Sequence, residues 1–173
     1  MAAGDAVAEG QAAVELAELE QGNPVVESPA QIVPVAPGTP EKPYFGIDVP
    51  LMRHLGLQPV QMEEGLCRTR LPVSPFLVNS RGDVHGGTLM ATLDFTLSGA
   101  ARSHAPLDTG VITIDMSTHF LAAARGELHL EARCMRRGAR IAFCEGEVKN
   151  AAGEVVCVAR AAFKLVPLSS GGD

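Results

Sequence analysis

From Asn79 to His104 the sequence runs NSRGDVHGGTLMATLDFTLSGAARSH, and Asp94 is the only charged residue between Gly86 and Ala101. The stretch predicts a helix whose apolar residues point in every direction, so it should be covered rather than face solvent. A carboxylate there, with no cation close by in sequence, loses hydration and either raises its pKa or costs stability. Two readings compete. Asp94 bonds to a neighbouring hydroxyl (Thr92, Thr96 or Ser98) or lines a solvated cleft, or it acts as a general base or nucleophile.

His85-Gly86-Gly87 stands at the start of the same helix. Adjacent glycines there supply no packing but let another group approach the backbone closely. They also present free N–H groups at the positive end of the helix dipole, which suits a polarised carbonyl oxygen. The alternative is a tight loop-to-helix turn. Gly86 and Asp94 are eight residues apart, about 12 Å along a helix axis. A carboxylate acting on a carbonyl held at Gly86 must lie within about 3–4 Å of it, so one helix cannot do both jobs. Two antiparallel copies could, with Gly86 of one chain facing Asp94 of the other. The expectation is a dimer with two composite sites.

Other candidates are weaker. Arg136, Arg137 and Arg140 surround Gly138, as a solvated hairpin tip or as a clamp for phosphates, to which Arg forks are suited. An imidazole suits proton exchange near neutral pH, which makes His85 a candidate for that role. His119 and His129 fall at alternating strand positions and read as surface residues. Cys67, Cys134, Cys144 and Cys157 are far apart without a C-x-x-C pair, which reads as small buried thiols in a reducing compartment and disfavours a metal site.

The elements that must position these groups are legible along the chain. VPLMRHLGL (49–57) predicts a short helix, started by Pro50 and stopped by Gly56. PVQMEEGLCRTRLPV (59–73) predicts a two-strand or bent-strand passage, and SPFLVNSRGD (74–83) a loop into the long helix. Four strand patterns follow, at 110–124, 126–137, 139–150 and 153–166, with hairpin-like turns at 124–126, 136–138 and 150–154. A four-strand antiparallel meander after one long helix is an α+β arrangement. One sheet curves around such a helix, and a second layer finishes its cover.

Composition bounds the partners. The 173 residues carry 46% hydrophobic and 20% charged residues, enough for one core plus an extension. Residues 1–41 hold seven acids and no Lys or Arg, which leaves 13 acids against 14 basic residues beyond them. That near-neutral body, with one Tyr and no Trp, disfavours nucleic-acid binding. Prolines at 24, 29, 34, 37, 40 and 43 make residues 1–42 a disordered or loosely docked arm, with a marginal helix at 13–20. The domain is expected over 43–168 and a flexible tail over 169–173. The chain shows neither a secretory leader pattern nor an apolar run of about 20 residues, so the cytoplasm is the expected location.

Asn79, His85-Gly86-Gly87 and Asp94, followed by GVITIDMSTHFLAAARGE and RRGARIAFCEGEVKNAAGEVVCVA, resemble in order the hotdog-fold acyl-CoA thioesterases of the PaaI-like group, over about residues 48–166. The resemblance implies a long helix wrapped by a curved antiparallel sheet, at least a homodimer with a continuous sheet, and often a tetramer. It implies an acyl- or aryl-CoA substrate, with coenzyme A as part of the substrate and no metal or other cofactor. Asp94 would be the general base or nucleophile, and Gly86 N–H of the partner would polarise the thioester carbonyl. Asn79 would position water or the thioester, and Thr113 would assist the carboxylate. His85 and Gly87 would shape the substrate loop, and Arg137, Gly138 and Arg140 would contact the nucleotide. The alternatives are a non-catalytic acyl-CoA-binding hotdog protein and a hotdog dehydratase. The acid-only arm disfavours a DNA-binding version of the first, and the second needs a differently spaced His–acid pair. The RGD at 81–83 reads as incidental.

Overall fold

The computed structural model describes residues 39–168. Of the arm expected over 1–42, residues 1–38, with the helix at 13–20, lie outside the described residues, as does the tail at 169–173. Helix α1 (Pro50–Leu55) starts with Pro50 in its first turn and ends at Gly56, whose φ of 72° only glycine adopts without strain. Strands β1 (Gln58–Glu63) and β2 (Leu66–Leu71) form a hairpin, and a 3-10 turn (Pro75–Leu77) opens the loop to helix α2 (Gly86–Arg102). Strands β3 (Thr109–Phe120), β4 (Leu128–Arg137), β5 (Ile141–Asn150) and β6 (Val155–Pro167) complete one antiparallel sheet.

Sheet order is β1-β2-β4-β5-β6-β3, which corrects the expected four-strand meander. β3 pairs with β6 at the far edge, and β4 takes β2 as its neighbour. The connection at 124–126, expected as a hairpin, therefore belongs to a crossover. Its backbone bonds elsewhere: Leu121 and Ala122 donate to Val156 O, and Ala124 O accepts from Val84 N–H. Those bonds hold it against β6 and the loop before α2, so β4 cannot fold back on β3.

α2 lies across one face of the sheet. Leu89, Leu93, Leu97 and Ala100 bury against inward residues such as Leu128, Leu130, Ala132, Val148 and Phe163. The helix passes so close to β5 that a Cβ on Gly146 would stand 3.2 Å from Leu97 Cδ2 and 2.9 Å from Glu131 O. One chain does not cover α2 all round, contrary to a literal reading of its composition. Gly87, Met90, Ala91, Asp94 and Ser98 form a stripe that is exposed or only half-buried. The helix also runs one residue past Ala101. Arg102 is buried and donates to the carbonyls of Tyr44, Phe45 and Pro106 at the C-terminal end of the helix, where the dipole favours a cation.

β3 departs from simple alternation. A bulge between Thr113 and Asp115 shifts its register against β6 and reverses its phase. Val111 and Met116 both pack on the core, while Ile112 and Ile114 are 54% and 57% exposed. β3 is an edge strand with those side chains open.

Candidate active site

Thr113 shares the inward face of β3 with Val111 and meets α2. Thr113 Oγ1 donates to Asp94 Oδ1 at 2.9 Å. The hydroxyls nearer in sequence turn to backbone carbonyls instead: Thr92 donates to Thr88 O, Thr96 to Thr92 O and Ser98 to Phe95 O. Asp94 is half-buried. Burial pushes its carboxyl above the usual range, and the Thr113 hydrogen bond opposes that shift. The group faces the open stripe of α2 as a carboxylate steadied by a hydroxyl rather than by a cation.

The helix start is organised by His85, which is the N-cap. Its Nδ1 accepts from Gly87 N–H at 3.0 Å, and its carbonyl accepts from Thr88 and Leu89 N–H. The Nδ1 acceptor puts the ring proton on Nε2. Gly86 N–H is left without a partner among the described residues. Both glycines sit close to a side chain: a Cβ on Gly87 would stand 3.1 Å from His85 Nδ1, and one on Gly86 3.3 Å from the Phe120 ring. A cleft of about 550 Å³ opens here, bounded by Asn79, Gly86, Leu89, Phe120 and Ala122.

Asn79 lines this cleft, but its carboxamide oxygen holds the loop. It accepts from Arg81 N–H at 2.8 Å and from Asp83 N–H at 3.3 Å. Asp83 in turn binds Arg125 at 2.6 Å, tying the loop to the crossover. Asp83 and Arg81 of the RGD triplet are thus 3.7 Å apart in an internal ion pair.

The structure therefore assembles two groups within one chain, Asp94 with Thr113, and Asn79 with Gly86 at the cleft, while His85 and Gly87 bond each other at the helix start outside its lining. Arg137, Gly138 and Arg140 form the exposed β4–β5 tip. That tip belongs to the other end of α2: Cys134 N–H bonds Gly65 O, Gly65 N–H bonds Ser103 Oγ, and Arg137 acts on the charge of His104. His119 is exposed, and His129 is exposed beside Glu127 at 3.3 Å. Among the described residues no cluster of three or more His, Cys, Asp or Glu is arranged to hold a metal ion, and no helix is long and apolar enough to cross a membrane.

Sequence reasoning missed Phe120, the wall over Gly86, and Thr118, whose Oγ1 is buried without a partner among the described residues. Both follow from the phase reversal in β3, which leaves no mark in the residue pattern.

The thioesterase superfamily model matches residues 81–157. A protein of Halobacterium salinarum named as a candidate esterase is 32% identical over 127 residues, covering 66% of this chain and 83% of its own length. The solved structure of a conserved protein of Pseudomonas aeruginosa superposes with a TM-score of 0.66 at 28% identity, covering 69% of this chain and 95% of that one. The PaaI protein of the E. coli phenylacetic acid degradation operon shares the fold, with a TM-score of 0.65 at 19% identity over 69% of this chain and 86% of its own.

Proposed function

The chain belongs to the thioesterase superfamily, and from that premise we propose that it hydrolyses an acyl- or aryl-CoA thioester to the free acid and coenzyme A. The observation that carries this reading is the half-buried Asp94 carboxylate, held by Thr113 and facing the uncovered stripe of α2. A carboxylate with a raised pKa and no cationic partner is a competent base for water, or a nucleophile toward the thioester carbonyl.

The carbonyl needs a donor, and Gly86 N–H is free to serve. Gly86 and Asp94 are about 12 Å apart on one helix, so the working site takes its donor from a second copy whose α2 runs antiparallel. The open edge of β3, with Ile112 and Ile114 exposed, and the uncovered stripe are surfaces such a copy would cover. Asn79 braces the loop that delivers Gly86. Arg137 and Arg140 at the β4–β5 tip are placed to meet the coenzyme A phosphates from the far end of the helix. Carboxylate and N–H supply this chemistry without a metal or other cofactor, and free thiols at all four cysteines fit the cytoplasm.

A thiol-release screen across acyl-CoAs of different chain length and aryl content, run on wild type beside Asp94→Asn, tests the proposal. Release by wild type and its loss in the variant is the expected result. Saturable acyl-CoA binding without release would make the protein a binding module instead.

A further inference from the structure

The structure also brings together a set of groups that hydrolysis does not use. Cys134 on β4 and Cys144 on β5 are directly opposed in the antiparallel register, and both thiols are free. Cα atoms of opposed antiparallel residues lie about 4.5–5.5 Å apart, inside the range of about 4.4–6.8 Å that a disulfide spans. Both side chains take the inward face, Cys144 buried and Cys134 only partly so. His104, just past α2, is near enough to act on the Cys134 thiol, and Glu64 holds its ring, with Nδ1 and Oε1 2.8 Å apart. An imidazole held by a carboxylate thus neighbours one thiol, and a second thiol is paired with the first across the strands.

We propose that Cys134 and Cys144 form a peroxide-sensitive dithiol, in which Cys134 attacks, Cys144 resolves, and His104 held by Glu64 takes the Cys134 proton. The Cys134 sulfur attacks one oxygen of a hydroperoxide. An S–O bond forms, the O–O bond breaks, and the departing oxygen leaves as alcohol, or as water from hydrogen peroxide, after gaining a proton. Cys134 is then a sulfenic acid. The Cys144 sulfur attacks the Cys134 sulfur, the S–S bond forms, and the hydroxyl leaves as water with the Cys144 proton. Two electrons pass from the thiols to the peroxide.

The electrostatics agree with this division of labour. The Cys144 thiol, and after it His104 and Arg137, hold the Cys134 thiol below its ordinary range against the effect of burial. Cys144 is pushed up by Cys134 and by burial. The partly exposed sulfur is the one favoured as thiolate, the reactive form. Cys67 and Cys157 are buried, with thiols pushed up to about 12 and about 11, and are internal controls.

The test uses the reduced full-length chain with stoichiometric hydrogen peroxide, followed by alkylation, trypsin and mass spectrometry. Residues 134–136 and 141–149 are expected as one disulfide-linked pair, while Cys67 and Cys157 keep free thiols. Oxidation of Cys134 no faster than of Cys67 and Cys157, or its advance to sulfinic acid without the link, overturns the proposal. His104→Gln should slow disulfide formation at least tenfold while far-UV circular dichroism stays unchanged, and an unchanged rate removes His104 from the site. The wild-type peptide map decides the dithiol even if a variant folds poorly.

Discussion

Thr113 Oγ1 donates to Asp94 Oδ1 at 2.9 Å, joining the middle of α2 to the edge strand β3. Thr113 faces the helix two residues after the core-packed Val111, just before the bulge that reverses the phase of β3. Burial favours the neutral acid and the hydroxyl favours the carboxylate, and burial is the stronger influence. The result is a carboxyl group that is neither paired with a cation nor fully hydrated.

Asp94→Asn is expected to lower kcat by about 10²–10⁴, the range typical of a lost general base, with the fold intact. A carboxyl whose folded pKa lies above its unfolded value contributes stability below the unfolded pKa and loses it as pH rises through the folded one. At pH 7 the wild-type carboxylate therefore bears a cost that asparagine does not. Thermal denaturation at pH 7 should show Asp94→Asn at least as stable as wild type, and a clearly lower Tm would mean that the carboxylate is held by a net favourable contact.

Thr113→Val removes the donor that favours ionised Asp94, so its pKa should rise further. Hydrogen bonds to charged groups are worth about 1.5–3 kcal/mol, and solvent at the half-buried site screens part of that. The acidic limb of the kcat/KM profile should move to higher pH, while Thr113→Ser keeps the wild-type limb. An unmoved limb in the valine variant would show that Thr113 does not control Asp94.

His85→Ala separates capping from proton transfer. The ring accepts from Gly87 N–H, and losing such an N-cap costs about 1 kcal/mol. A lower Tm is expected, with kcat/KM reduced less than tenfold and the pH profile unchanged. A loss as deep as that of Asp94→Asn would make His85 a proton carrier.

Local patterns carried much of this through the sequence alone. Pro50 and Gly56 bound α1, and alternating residues place Leu128, Leu130 and Ala132 inward on β4. The odd charge in α2 and the double glycine before it mark the two halves of the candidate site. Relations that depend on a distant strand left no such mark. Ala124–Gly126 looks like a hairpin turn, and only the pairing of β3 with β6 makes it a crossover. Ile112, Ile114 and Met116 look like one face of a regular strand, and the bulge turns Met116 to the other face. The bond from Asp94 to Thr113 spans 19 residues, and cap geometry rather than residue type occupies the His85 ring.

Gly99 tests the packing of α2 on β2. A Cβ there would stand 2.5 Å from Cys67 Sγ and 3.3 Å from Met62 Cε. Gly99→Ala should cost about 1–3 kcal/mol by overpacking in urea denaturation. Cys67→Ala in the same chain should recover part of that loss, and additive losses would show that the helix shifts away from Cys67 rather than pressing on it.

Gly86→Pro addresses the two-chain site directly. Gly86 is the first residue of α2, where proline is tolerated. His85 has φ −62° and ψ 136°, the extended conformation that a residue before proline requires. The substitution removes the one N–H that the cap leaves free, and an added Cβ meets only the Phe120 side chain, which is 52% exposed and able to give. Losing a donor of this kind costs about 10²–10³ in kcat. Co-expression of a Gly86→Pro chain and an Asp94→Asn chain with different tags yields heterodimers. If Gly86 of one chain serves Asp94 of the other, one of the two sites in each heterodimer is intact, and about half of wild-type turnover returns. If each chain uses its own Gly86, both sites carry a defect and the heterodimer stays as inactive as its parents.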